Sequence, residues 1–409
     1  MKARRLSGNR VQLLTDGDEF FPRLFAAIEQ AQHEVLLETF ILSDDKVGRE
    51  LHSQLIAAAR RGVRVAVTVD GFGSPGLEGE FLDKLVGAGV TFQVFNPGLI
   101  LFGVRTNLFR RMHRKIVVVD GILAYVGGIN FIADQLSDFG PEAKRDFTAE
   151  IEGPVVNNIR TFFIKTNHRH HLRPPSTARN NHSQKLPGKA QVLFVDRDNR
   201  RSRNNIERQY HLAIRNAKRE LIIANAYFFP GYKLLWRLRR AAQRGVKISL
   251  VLQGSPDIGI ARWASRQLYT YLLSGGVKIY EYCERQLHAK VAIADDDWST
   301  IGSSNLDPLS LSLNLEANVV IIDRDFNHAL RERLQSMIQE HCRCMTFEEG
   351  THNHWWNGLT STAAFHFLRH FPHWAGLLPA HTIKLKKVVD NGASTSLPNE
   401  TRNVAGTDA

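Results

Sequence analysis

The sequence predicts an α/β protein built from two similar halves, and two observations support this fold class. A motif of fixed spacing, H-x-K-x4-D-x6-G-[GS]-x-N, occurs twice, 175 residues apart. Each copy follows a similar series of segments: a buried strand, an amphipathic helix that ends at an Arg-Gly pair, and a second strand. A repeat of this length indicates duplication of a strand–helix–strand unit, which is typical of α/β folds.

The elements of the first half follow from its hydrophobic patterns. Thr15 and Asp18 precede an amphipathic stretch whose apolar residues have helical spacing, and Gly62 ends a second such stretch. Uniformly apolar runs between them predict buried strands. The predicted elements are, in order, a helix at 19–31, a strand at 34–42, a helix at 51–61, and strands at 63–69 and 91–95.

The second half repeats this order. The run from Glu220 to Phe228 matches the strand that begins at Glu34. Residues 238–251 match residues 55–68, including the Arg-Gly pair that ends the helix. A further strand, from Val277 to Tyr282, leads into the second motif.

Each motif brings an imidazole, an ammonium and an amide together. The candidate catalytic residues are His113, Lys115 and Asp120 in the first copy and His288, Lys290 and Asp295 in the second; Asn130 and Asn305 are the candidate phosphate-binding residues. In a strand, the histidine and the lysine two positions later share a face. The glycine turn then returns the asparagine beside them. Such a set suits a phosphate, with one nucleophile or acid and donors for the non-bridging oxygens.

Two qualifications apply to this interpretation of the motif. Asp120 and Asp295 stand at strand ends, where we expect them to have a structural role. The alternative to a phosphate site is a pair of buried strands whose histidines are ordinary core residues. Duplication of the complete set disfavours that alternative.

The paired motifs resemble the two HKD motifs of the phospholipase D superfamily, and the resemblance covers most of residues 10–345. It implies two α/β halves, each a mixed sheet flanked by helices, related by a pseudo-two-fold axis through one active site. It also implies chemistry without a metal or cofactor. One histidine attacks phosphorus, and the other protonates the leaving alcohol and then activates the acceptor. The sequence does not identify the nucleophile, and we favour His113.

A histidine with this role needs a carboxylate to fix its tautomer. By the resemblance, Asp146 and Glu316, which follow the first and second motifs, are the histidine-orienting residues, and each is expected to brace its histidine. The copies differ at one position, where Gly128 in the first corresponds to Ser303 in the second. The superfamily often has serine there, so the two halves are expected to hold the phosphate differently.

Composition limits the partners of the protein. The chain has 53 Lys and Arg against 41 Asp and Glu, a formal net charge of +12, which suits nucleic acid or acidic lipid. Its three cysteines do not form a disulfide framework and favour a reducing compartment. No signal peptide is expected, and no window of about 18 uncharged apolar residues predicts a membrane span. Membrane contact is therefore expected to be peripheral.

The sequence resembles bacterial cardiolipin synthases, particularly the short B type without N-terminal membrane spans. Three features carry this resemblance: the two fused halves, the residues His-Arg-Lys and Gly-Gly-Ile-Asn of the first motif, and the run Leu-Asn-Leu-Glu-Ala-Asn after the second motif. This resemblance implies condensation of phosphatidylglycerol with a second lipid to give cardiolipin. Anionic phospholipids would then be the partners, at the cytoplasmic face of the cell membrane, and no nucleic acid is expected. The second lipid and the oligomeric state stay open.

Two other functions compete with this one. A phospholipase D-type phosphodiesterase or nuclease, hydrolysing lipid or nucleic-acid phosphodiesters, would use the same motifs and the same basic charge. A non-catalytic protein that binds anionic surfaces is less favoured, because both motifs are intact.

The expected organisation is an N-terminal half at 1–164, a basic linker at 165–189, a C-terminal half at 190–345, an aromatic and basic segment at 346–389 and a disordered tail at 390–409. The segment at 346–389 either meets a membrane–water interface or packs on the core. Four arginines before the first motif, Arg105, Arg110, Arg111 and Arg114, predict a basic face at the entrance of the site.

Overall fold

The computed structural model describes residues 4–97, 100–101, 104–105, 110–167, 186–254, 268–347 and 385–388. The strands of the first half are β1 (Leu6–Thr15), β2 (Glu34–Thr39), β3 (Arg64–Asp70), β4 (Thr91–Phe95), β5 (Ile100–Leu101), β6 (Val104–Arg105), β7 (Ile116–Val119), β8 (Leu123–Gly127), β9 (Lys144–Arg145) and β10 (Phe147–Glu152). Its helices are α1 (Asp16–Gln30), α2 (Lys46–Arg60), α3 (Glu80–Gly87) and α4 (Pro154–Asn167), with 3₁₀ turns at Ala133–Gln135 and Ser137–Phe139.

The strands that follow are β11 (Ala190–Arg197), β12 (Glu220–Asn225), β13 (Lys247–Gln253), β14 (Lys278–Tyr282), β15 (Gln286–Leu287), β16 (Lys290–Ala294), β17 (Trp298–Gly302), β18 (Glu316–Ile322), β19 (Cys342–Cys344) and β20 (Leu385–Lys387). The helices are α5 (Asn205–Asn216), α6 (Tyr232–Gln243), α7 (268–273), α8 (Pro308–Ser312) and α9 (Arg324–His341).

The two halves have the same strand order. In the first half the order is β1-β10-β8-β7-β2-β3-β4, and in the second it is β11-β18-β17-β16-β12-β13-β14. Strands β2, β3 and β4 are parallel, as are β12, β13 and β14, and the other neighbours within these two orders are antiparallel. The antiparallel pairing of β1 with β11 joins the halves. The predicted α/β class, with two similar halves of mixed sheet, is confirmed.

Helices cover the sheets in layers. The first sheet packs one face against α1, α2 and α3, through residues such as Leu24 and Leu51. The second sheet packs the equivalent face against α5, α6 and α7, through residues such as Leu234 and Leu272. The other faces of both sheets share a central core with α4 and α9. This shared core fixes the two halves against each other and therefore fixes the geometry of a site between them.

The N-terminal half was expected to end at residue 164, where the linker begins. Helix α4 crosses this expected boundary and continues to Asn167. Residues 168–185 of the linker, most of the aromatic segment and the tail lie outside the described residues. Among the helices that are described, none is long and apolar enough to cross a membrane.

Candidate active site

The backbone of each motif histidine is tied to the other half of the protein. The amide of His113 donates to the carbonyl of Leu315 over 2.9 Å. The amide of His288 donates to the carbonyl of Arg145 over 2.8 Å. Leu315 and Arg145 each immediately precede a candidate histidine-orienting carboxylate. These reciprocal contacts bring the two motifs and the two carboxylates into one site.

The carboxylate behind each histidine also comes from the other half. Nδ1 of His113 lies 3.1 Å from both carboxylate oxygens of Glu316. Nδ1 of His288 is hydrogen-bonded to Oδ2 of Asp146. The expected bracing contacts therefore exist, but they are exchanged between the motifs. With Nδ1–H donated to a carboxylate, each imidazole has Nε2 available for attack on phosphorus or for proton transfer.

The glycines of the motifs give the carboxylate-bearing strands room to approach. A Cβ at Gly127 would overlap Thr148, and one at Gly302 would overlap the carbonyl of Ala317. A Cβ at Gly128 would overlap the carboxylate of Asp146. The carboxylate of Asp146 therefore fills the space that a serine side chain would need at position 128.

The opposite arrangement occurs behind the other histidine. Ser303, the counterpart of Gly128, donates its hydroxyl to Oε2 of Glu316 over 2.5 Å. Its hydroxyl oxygen accepts from the amide of Ala317 over 3.1 Å. The Gly/Ser difference between the motifs therefore goes with an Asp/Glu difference between the carboxylates, and only Glu316 receives a hydroxyl donor from this position.

Both lysines are buried within the site. Nζ of Lys115 donates to the carbonyl of His113 over 2.8 Å, and Nζ of Lys290 donates to the carbonyl of His288. Burial, and after it the charge of Lys290, lower the pKa of Lys115 to about 7. Burial likewise lowers the pKa of Lys290 to about 8. Two buried amino groups that repel each other when charged favour the binding of an anion. A bound phosphate offsets both the cost of burying the charges and the repulsion between them.

The two histidine–carboxylate pairs differ electrostatically. Burial lowers the pKa of His113 to about 4, against the opposing effect of Glu316, and it lowers the pKa of His288 well below the usual range. Burial raises the pKa of Asp146 to about 7. Burial also acts to raise the pKa of Glu316, but His113, Lys115 and the hydroxyl of Ser303 together lower it. At neutral pH both imidazoles are uncharged, and Glu316 is the more fully ionised carboxylate.

The two motif asparagines are buried. Oδ1 of Asn130 accepts from the amide of Ile41 over 3.2 Å, which leaves its NH₂ group to donate. Oδ1 of Asn305 is buried and has no hydrogen-bond partner among the described residues. Phosphate binding by these two amides remains a prediction.

The motif aspartates fold the chain instead of facing the histidines. Asp120 has a positive φ of 53°, and its carboxylate accepts from the amides of Gln32, His33 and Glu34. Asp295 has a φ of 48° and accepts in the same way from residues 218–220. Each carboxylate therefore ties the end of a motif strand to the start of β2 or β12. These contacts match the structural role expected of the two residues.

Phe40 is a site residue that the sequence did not indicate. Its ring contacts the ring of His113 edge to face, with the centroids 5.0 Å apart, and Nζ of Lys115 lies 5.3 Å from the same ring. A Cβ at Gly73 would overlap the carbonyl of Phe40, so glycine is required there for this packing. The available signal was the repeat itself, in which Phe40 corresponds to the much smaller Ala226.

The expected basic face before the first motif is wrong for Arg114. This side chain is 3% exposed, pairs with Glu38 over 2.9 Å and stacks on Phe162. Because side chains alternate along an extended segment, Arg114 points away from the face that carries His113. Arg111 lies on the histidine's face and stacks on the ring of Phe72, 3.8 Å from its centroid. The side chain of Arg105 is outside the described residues.

No group of three or more His, Cys, Asp or Glu side chains in the described part of the chain could hold a metal ion. The candidate site contains two buried amino groups, those of Lys115 and Lys290.

Comparison with known proteins decides the family. The family model described as "Cardiolipin synthase, PLD-like domain" matches residues 24–163 and 211–338, which contain both motifs. The chain belongs to the cardiolipin synthase family of phospholipase D-like proteins. The resemblance inferred from the motifs is confirmed.

Relatives within this family are similar along almost the whole chain. Cardiolipin synthase B of Salmonella typhi is 52% identical over 95% of this chain and 94% of its own length. Cardiolipin synthase B of Escherichia coli K12 is 51% identical over the same shares. Among solved structures, phosphatidylserine synthase of Haemophilus influenzae is similar in fold, with a TM-score of 0.65 at 15% identity, covering 90% of this chain and 94% of that one.

Proposed function

We propose that the protein is a phosphatidyltransferase that condenses phosphatidylglycerol with a second phospholipid to form cardiolipin. The observation that carries the proposal is the pair of crossed dyads, His113–Glu316 and His288–Asp146, which bring two uncharged imidazoles, one from each half, close to each other. The relatives named cardiolipin synthase B, at about half identity over nearly the full chain, support this substrate class.

The dyads support a two-step reaction. In the first step Nε2 of one histidine forms a bond to phosphorus, and the bond from phosphorus to the oxygen of the headgroup glycerol breaks. The other histidine gives that oxygen a proton. In the second step the same histidine takes a proton from the hydroxyl of the acceptor lipid, whose oxygen displaces the first imidazole. The carboxylate behind each ring stabilises the positive charge that the ring acquires.

The positive charge around the phosphate comes from the protein itself. Lys115 and Lys290 would face the non-bridging oxygens, and the donors of Asn130 and Asn305 would complete their binding. Entry of an anionic phosphate raises the pKa of a nearby histidine. Substrate binding therefore prepares the acidic histidine to carry the proton that the leaving alcohol needs.

Hydrolysis is the competing outcome, because water can resolve the same phosphohistidine. Transfer is favoured when the site excludes water and the acceptor is concentrated at a lipid surface. We therefore place the protein peripherally at the cytoplasmic face of the cell membrane, with anionic phospholipids as its partners.

The test uses purified protein and phosphatidylglycerol vesicles, with the products followed by mass spectrometry. The expected result is cardiolipin with release of glycerol. Phosphatidic acid as the dominant product would show a hydrolase. Cleavage of nucleic acid without reaction on vesicles would show the nuclease alternative.

A further inference from the structure

The outward face of α6 exposes aromatic and basic side chains in a regular row. Tyr232 is 41% exposed and Trp236 is 52% exposed, and Arg240 is exposed one turn further along. Residues four apart lie on the same side of a helix, so the three side chains form one ridge. The guanidinium of Arg240 lies 5.1 Å from the ring of Trp236. We refer to Tyr232, Trp236 and Arg240 as the α6 ridge.

The surroundings of the ridge are basic. Helix α6 contains one lysine and three arginines and no aspartate or glutamate. Next to it, Arg239 stacks on Tyr271 of α7, 4.4 Å from the ring centroid, and Tyr271 is itself 39% exposed. Rings with polar edges beside cations are the side chains that proteins place at a membrane–water interface.

The duplicated half shows that the fold does not require this ridge. By the repeat, α2 corresponds to α6, and the ridge positions correspond to Arg49, Ser53 and Ala57. In α2 the arginine is paired with Asp44 over 2.7 Å. The same helix in the same layer is thus polar in one half and aromatic and basic in the other. The ridge is specific to the second half, unlike the core residues that both halves share.

The ridge starts at the end of the sheet where the catalytic residues lie. Strand β12 ends at Asn225, which pairs with Lys290. The segment that follows returns to the second motif, since the amide of Phe229 donates to the carbonyl of Leu306 over 2.7 Å. Three residues after Leu306, on α8, the side chain of Leu309 is 45% exposed. The first turn of α6 therefore lies at the rim of the site.

We propose that the α6 ridge is the surface by which the protein docks on an anionic bilayer. This inference rests on the proposed function and specifies the surface that holds the entrance against the substrate layer. The rings would enter the headgroup region of the bilayer while Arg240 and its basic neighbours contact lipid phosphates. An anionic bilayer therefore matches the ridge in both polarity and charge.

The experiment uses the full chain and measures flotation with phosphatidylglycerol-containing vesicles. Burying two half-exposed rings predicts a loss of roughly tenfold or more in vesicle binding for the double variant Tyr232→Ser/Trp236→Ser. Arg240→Gln is expected to lower binding about fivefold on anionic vesicles, with no loss on vesicles of phosphatidylcholine alone. Turnover of a short-chain, monomeric phosphatidylglycerol should stay at the wild-type rate, because the ridge does not touch the reacting atoms.

Matched controls remove comparable groups elsewhere. Ile122→Ser deletes a side chain that is 58% exposed in the turn between β7 and β8, at the end of the sheet away from the histidines, and Arg60→Gln deletes an exposed cation at the end of α2. Both should float like wild type.

Wild-type flotation and vesicle turnover in the double ridge variant would overturn the proposal, while cardiolipin formation by the wild-type protein would leave the proposed function standing. A shift to smaller oligomers by light scattering, with vesicle binding unchanged, would assign the ridge to a second copy of the chain. Increased vesicle binding by the double variant would show that the ridge instead anchors a segment of the chain that covers the membrane-contact surface.

Discussion

Because the dyads are crossed, each carboxylate variant should imitate loss of the histidine that lies further away in the sequence. Asp146→Asn should behave as a weakened His288→Ala, and Glu316→Gln as a weakened His113→Ala. The amide replacements keep the volume of the acids but remove the charge that stabilises the imidazolium. Unchanged circular dichroism and thermal unfolding would show that the fold is intact.

The expected magnitude follows from the ionisation of each acid. Loss of an orienting carboxylate in a comparable triad lowers the rate on the order of 10⁴-fold, about 5.5 kcal/mol. Glu316, whose pKa is lowered, is ionised at pH 7, so Glu316→Gln should show the full loss. Asp146, with a pKa of about 7, is roughly half ionised there. The loss in Asp146→Asn should therefore grow as the pH rises from 6 to 8, because the wild-type carboxylate ionises over that range.

The assay separates the two steps by using a phosphatidyl ester of p-nitrophenol. This leaving group departs without a proton, so the acidic histidine is not needed for the first step. With His113 as nucleophile, His288→Ala and Asp146→Asn should give a burst of p-nitrophenol and a phosphohistidine at His113 by peptide mapping. His113→Ala should give no burst. Glu316→Gln should give a burst that is strongly slowed.

Two results would refute this reasoning. If Asp146→Asn lost the burst while Glu316→Gln kept it, and the label was still on His113, the crossed pairing would not operate in catalysis. If both variants lost less than about threefold in turnover, these acids would not be the orienting residues. A label on His288 would instead exchange the roles of the two dyads and leave the crossed pairing intact.

Three further predictions follow from the site. Turnover should survive EDTA, since Lys115 and Lys290 provide the positive charge; complete loss that added divalent ion restores would contradict the two-histidine mechanism. In pH profiles, kcat/KM should fall as the pH rises above about 7, because the lysines of the free enzyme, with pKa values of about 7 and 8, lose their protons; an unchanged rate at pH 10 would be inconsistent with their role. Gly128→Ser should lower turnover far more than Ser303→Gly, because only the first side chain overlaps a carboxylate; equal losses in matched assays would show that space at position 128 is not limiting.

Local patterns predicted the elements of the repeated unit well. The helix expected at 19–31 is Asp16–Gln30, and the strand expected at 91–95 is Thr91–Phe95. Apolar periodicity determines such elements because one face of each must be buried. The antiparallel pairing of β1 and β11, which joins the two sheets, was not predicted. That contact depends on partners far apart in the chain, and a local window does not contain them.

The motifs predicted which residues form the site but not which ones meet. Spacing placed His113 and Lys115 on one face, which alternation along a strand guarantees. It did not show that Asp146 reaches across to His288, because that contact depends on how the halves pack. Arg114 illustrates the same limit: proximity to the motif suggested a surface cation, while its position in the alternation buries it against Glu38.

Duplication alone would give two equivalent histidines, yet the reaction needs one nucleophile and one acid. The structure breaks the equivalence with two coupled substitutions behind the rings. Glu316 with Ser303 gives His113 a carboxylate held in the ionised form, which favours a ring that must bear positive charge as a phosphoimidazole. Asp146 against Gly128 gives His288 a carboxylate that titrates near pH 7, which favours a ring that gains and loses a proton in each turnover. We infer that this acid–hydroxyl exchange, more than the motifs themselves, assigns the two roles.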